Sequence, residues 1–178
     1  MSQTFSVYLL IALALCVANL PFVIEKPFLL LPWSQKGESP RPMWVQFFIG
    51  VLFFCVLAFL VWVILSYLGS LSGLLANSSA EFMIKLLLAL FSASLLMSLP
   101  GWLSKQQKVQ KNLFIRLLEV LVFYCLVGAL GFAFESHIGN RFPQNWEFYV
   151  ITLCLFLVMA YPGFVYRYLM RHPKGKFE

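Results

Sequence analysis

Five apolar runs, near residues 5–23, 43–68, 81–100, 113–134 and 146–170, constrain this chain more than anything else in it. A helix of about 20 residues, rising 1.5 Å per residue, crosses the roughly 30 Å hydrocarbon core of a bilayer. Each run reaches that length, and the lipid interior offers the backbone no water, so a helix that satisfies its own amides is the only open-chain form available there. The expected fold is therefore all-α: a polytopic bundle of five transmembrane helices forming a single domain over residues 1–178. Hydrophobic residues make up 61% of the chain and charged residues 11%, against about half and about a quarter in soluble domains. That balance leaves no length for a water-soluble catalytic domain beside the spans.

The first run lacks the basic start of a secretory signal, since residues 1–4 contain no Lys or Arg, and no small-x-small cleavage site with a polar sequel closes it. It reads as a retained helix that bends or stops at Pro21, which has no N–H to donate. Residues 25–42, with Lys26, Lys36, Gly37, Pro40, Arg41 and Pro42, read as a polar loop. The second run continues weakly past Leu68 to Ala76, too far for one span, so a break is expected near Gly69 to Gly73. Glu81 and Lys85 open the third run at i and i+4 with the acid first, the favourable order. A polar loop at 104–112 leads to the fourth run, and residues 135–145 lead to the fifth.

Lys and Arg set the expected orientation, because cations flanking a span are retained in the cytoplasm. One side collects Lys26, Lys36 and Arg41, then Lys105, Lys108 and Lys111, then Arg167, Arg171, Lys174 and Lys176; the other has Arg141 alone. This places the N-terminus outside and the C-terminus in the cytoplasm, which an odd number of spans requires. Trp44, Trp102, Tyr166 and Tyr168 fall at the inner ends, and Tyr67, Trp146 and Tyr149 at the outer ends, as interfacial aromatics do. The same placement explains the net charge of +6 without nucleic acid, which is not an expected partner. The bilayer is.

Cys16, Cys55, Cys125 and Cys154 lie in four different runs with no C-x-x-C pair or His at ligand spacing, so they read as small hydrophobes. No cofactor, metal or catalytic motif is expected, and the protein reads as a non-enzyme. The polar residues that stand out are Glu119 and Arg116 in the fourth run. An acid in lipid costs a few kcal/mol, about 2.5 or more, and marks a candidate site. Arg116 lies three residues earlier, so the two can neutralise one another while Arg116 snorkels. Asn19, near Pro21, and Tyr161, beside Pro162, fall at similar depth. Pro21 and Pro162 free the carbonyls of Val17 and Val158, and a cluster of Asn19, Arg116, Glu119 and Tyr161 is expected to serve them, as helix-to-helix glue more than as a translocation site. Gly128, Ala129, Gly131 and Ala133, with Gly69 and Gly73, are expected to permit close helix approach. His137 and Arg141, near Glu135 and Glu147, read as solvated outer residues.

Three stretches resemble an uncharacterised family of short proteobacterial inner-membrane proteins: residues 8–22 (YLLIALALCVANLPF), 116–135 (RLLEVLVFYCLVGALGFAFE) and 143–169 (PQNWEFYVITLCLFLVMAYPGFVYRYL). The strings NWEFY and YPGFVYRYL carry most of the specificity. The resemblance implies three shared spans in the bacterial inner membrane, the first, fourth and fifth here, with residues 39–111 inserted as an added helical hairpin. It also implies a gene neighbourhood beside respiratory complex I, and hence an accessory or assembly role with membrane subunits of that complex as partners. The alternative is a small transporter or proton-conducting protein using Glu119 with Asn19.

A reporter active only in the cytoplasm should be active when fused after Glu178 and silent when fused before Met1. The reverse pattern would invert the orientation.

Overall fold

The computed structural model describes residues 3–33, 42–69, 79–103, 111–138 and 143–170. Five helices follow in order: α1 Gln3–Val23, α2 Met43–Gly69, α3 Ser79–Leu103, α4 Leu113–Ile138 and α5 Trp146–Val165, the last passing directly into a π-helical turn, Tyr166–Met170. All five are long and apolar enough to cross a membrane, and no strand occurs among the described residues. Pro21 and Pro100 lie inside α1 and α3 and end neither helix at once. α2 stops at Gly69; residues 70–78, with Gly73, lie outside the described residues, as do Arg141 and the side chains of Glu81 and His137.

The packing makes α4 central. Of its span 56% is buried, against 17–28% for the other four. α1 lies against α4 and α5, α2 against α4, and α3 against α2. Pro21 meets Arg116 while Leu10 meets Gly131, so α1 and α4 are antiparallel. Val120, Phe123 and Leu126 of α4 fill the core with Ala14, Ala18 and Phe22 of α1, Phe53 and Leu57 of α2, and Phe156 and Ala160 of α5. A second cluster joins Leu130, Ala133 and Phe134 to Ile64 of α2 and Leu86 and Ala89 of α3. Outside, Phe47, Phe48, Phe59, Trp62, Phe91 and Val158 are exposed. Such an apolar exterior would be costly in water and matches lipid tails, so it agrees with helices that are apolar on every face.

The segment after α1 differs from the expected polar loop. Residues 24–33 turn back into the bundle: Leu29 and Leu31 are buried, and the Phe28 ring sits edge-on to Phe123 at 5.4 Å. Pro27 and Pro32 bracket Phe28, Leu29, Leu30 and Leu31, so the run is too short and too constrained for a helix, yet its side chains gain by leaving water. This wedge presses on α2 and α3 at two glycines. A Cβ on Gly50 would lie 2.9 Å from the Pro32 nitrogen, and one on Gly101 would lie 3.3 Å from Lys26 Cβ. Of the small residues singled out in α4, Gly131 meets Leu10 at 3.3 Å and Ala129 and Ala133 are buried, but Gly128 has nothing within 4 Å. The expectation of close approach fails at Gly128: on that face Tyr124 and Phe132, one turn to either side, reach α5 with long aromatic side chains, and the space at Gly128 between them stays open.

Gly50→Ala should therefore destabilise the protein by about 1–3 kcal/mol, since the added methyl meets backbone that cannot rotate away. Gly128→Ala should be neutral or stabilising by up to about 1 kcal/mol through helix propensity. Thermal unfolding in mild detergent, read side by side, checks both.

Candidate functional site

A helix leaves its last four carbonyls without intrahelical donors, and in an apolar surrounding each needs a replacement. α1 ends at Val23 among packed segments. Ile24 N–H donates to the Leu20 carbonyl at 2.9 Å. Arg116 Nη1 donates to the carbonyls of Pro21 at 2.6 Å and Phe22 at 3.3 Å. Lys111 Nζ reaches the Ile24 carbonyl at 3.4 Å. Two cations thus stand at the negative end of the α1 dipole, where positive charge is favoured. Arg116 is 2% exposed, so it is buried and does not snorkel, and its Nε makes no hydrogen bond.

Glu119 does not pair with Arg116. Its Oε2 lies 2.6 Å from Lys111 Nζ, with both side chains fully buried, and its Oε1 accepts the Phe28 N–H of the wedge at 2.9 Å. Lys111 also stands over the Phe28 ring, 4.5 Å from its centroid. Burial pulls the Lys111 ammonium below its ordinary pKa, with Glu119 opposing the shift. The reason for the altered pairing is geometric: Arg116 is drawn to the end of α1, and Lys111, just before α4 begins, folds inward to the carboxylate.

Asn19 belongs to a separate group on the other flank of α1. Its Nδ2 donates to the carbonyls of Leu15 at 2.7 Å and Met159 at 3.0 Å, and its Oδ1 accepts the Gly163 N–H at 2.6 Å. The carboxamide therefore serves α5 next to Pro162, though at the step of Met159 and not at Val158. A Cβ on Gly163 would lie 2.7 Å from Asn19 Oδ1 and 3.2 Å from the Asn19 carbonyl oxygen, so the approach depends on glycine. Tyr161 joins neither group: it is 61% exposed and stacks on Phe164. The single cluster of four expected from depth alone is thus two groups and an outlier. Depth gives the level of a residue but not its bearing around the helix.

Sequence reasoning missed Lys111 as a buried partner, since it falls in the polar loop 104–112. It also missed Phe28 and the ion pair between Arg167 Nη1 and Glu25 Oε1, 2.6 Å long. The Pro-bracketed apolar run at 27–32 was the available signal for the wedge. No group of three or more His, Cys, Asp or Glu able to hold a metal occurs among the described residues.

Among known families, the one described as "Protein of unknown function (DUF2818)" matches residues 81–171, which takes in α3, α4 and α5. The chain belongs to this family. Two of the three stretches quoted above, 116–135 and 143–169, lie inside the match, and 8–22 lies outside it. The match also covers 81–111, part of the block read as an insertion. Arg116, Glu119, Gly163 and Arg167 fall within the family region, whereas Pro21, Phe28, Asn19 and Glu25, to which they respectively bond, lie before it. No curated protein and no solved structure matches the chain.

Removing one member of a buried ion pair leaves the other charge without compensation, at a cost of about 3–5 kcal/mol, whereas replacing both is often near neutral. Lys111→Met and Glu119→Gln should each lower detergent stability by an amount of that order. The double variant should recover much of the loss. Additive losses in a double-mutant cycle would contradict the pairing.

Proposed function

We propose that the protein is a non-catalytic, multi-pass protein of the bacterial inner membrane, N-terminus outside and C-terminus cytoplasmic. In this reading it serves as an accessory or assembly factor for a membrane complex, with respiratory complex I as the first partner to test. The observation that supports it is the engagement of Glu119: one oxygen holds a backbone N–H and the other a buried ammonium. A carboxylate that relays protons needs a partner it can release and a second group in line with it. Asn19, the partner expected for such a pathway, faces α5, while Glu119 faces the wedge. The polar groups thereby favour helix-to-helix glue, and the apolar exterior is the surface available to lipid or to another membrane protein. Complex I enters only through the gene neighbourhood that the family resemblance implies.

Affinity purification from mild detergent at native expression should bring down membrane subunits of complex I. A protein that runs alone would remove that partner. In reconstituted vesicles, proton flux should equal that of protein-free vesicles; flux that Glu119→Gln abolishes would replace the accessory reading with a transport one.

A further inference from the structure

The hydrogen-bond ladder of α5 is interrupted at one place. Pro162 has no N–H, so the Val158 carbonyl loses its i→i−4 donor. The next step is diverted as well: Gly163 N–H donates to Asn19 Oδ1 at 2.6 Å, and the Met159 carbonyl accepts from Asn19 Nδ2 at 3.0 Å. Donor and acceptor of one helical step are each held by a residue of α1. A side chain inserted in the ladder is a recognised site of bending. Three residues later the helix becomes π-helical, over Tyr166–Met170, a form that is rare and seldom extended.

Both parts of α5 pack on α1, and they differ in what else holds them. Before Pro162, Thr152 Oγ1 lies 2.8 Å from the Tyr124 hydroxyl of α4, which also donates to the Tyr149 carbonyl at 2.9 Å, and Phe156 packs edge-on to Tyr124 at 5.8 Å. After Pro162, the contacts are with the last turns of α1 and its exit. Gly163 abuts Asn19 and Phe22, Phe164 meets Phe22 edge-on at 5.9 Å, and Arg167 pairs with Glu25 at 2.6 Å. Pro162 itself is exposed, and on its inner side the joint is held by the Asn19 hydrogen bonds.

We propose that residues 163–170 are a hinged flap that pivots at Pro162 and is latched against the end of α1 by the Glu25–Arg167 ion pair. In the closed position the flap covers Phe22, 2% exposed, and the Asn19 carboxamide. Swinging it out bares the end of α1 beside the Arg116 cap, so the latch controls access to that end of the bundle. The inference rests on the geometry of α5 and holds whichever partner the protein has.

Amide hydrogen exchange of the full chain in lipid nanodiscs tests this, comparing wild type, Arg167→Gln, Pro162→Ala and the double variant. Arg167→Gln removes a partly exposed contact and leaves the core intact. It should speed exchange of the 163–170 amides about two- to fivefold, the amount a surface ion pair is worth, with 146–158 unchanged. Pro162→Ala restores a donor to the ladder, so in that background the same substitution should have no effect. Ordinary fraying of a helix end would instead persist in the double variant. That persistence, acceleration spread evenly along α5, or no change in Arg167→Gln would each overturn the hinge.

Discussion

The carbonyls at the end of α1 must find donors inside a packed, apolar bundle, and the groups that meet this need organise much of the protein. Arg116 supplies two of those bonds from the adjacent turn of α4, and Lys111 bonds the next carbonyl, that of Ile24 just past the helix. Once two cations are buried there, a negative charge is required near them, and Glu119 provides it. Glu119 in turn accepts the Phe28 N–H, which pins the wedge. One unsatisfied helix end thus fixes the register of α1 on α4 and the course of residues 24–33.

The other flank of α1 solves a related problem with a neutral group. Pro162 weakens the backbone of α5, and the Asn19 carboxamide, with one acceptor and two donors, can splice into the ladder beside it. A carboxylate there could accept but not donate, and an aliphatic residue could do neither. Gly163 is required for the two backbones to come this close. α1 is therefore bonded through side chains to both of its neighbours, charged on the α4 side and uncharged on the α5 side.

These arrangements shape the functional reading. Each polar residue within the bundle that attracts attention as a candidate for transport is bonded to another segment of the same chain. Among the described residues the outward faces of the helices are largely apolar, and at one end an ion pair ties the end of α5 to the exit of α1. The accessory role proposed above draws on this organisation, in which the polar groups hold the chain's own shape.

The amino-acid sequence determined the number, placement and type of the helices, because the length and polarity of an apolar run are local properties. It also marked Glu119, Arg116 and Asn19, since polar groups among apolar residues need partners wherever they point. It could not name those partners. Pairing depends on the bearing of each side chain around its helix and on how neighbouring helices are rotated, and helices that are apolar on every face carry little periodic signal for that rotation. Lys111 looked like a cation of a polar loop and the run from Phe28 to Leu31 like a fragment of loop, because only the folded bundle brings the gap they fill into existence. The separation of Asn19 from Glu119, and the exposure of Tyr161, were decided there as well: packing, not depth, determines which polar groups can touch.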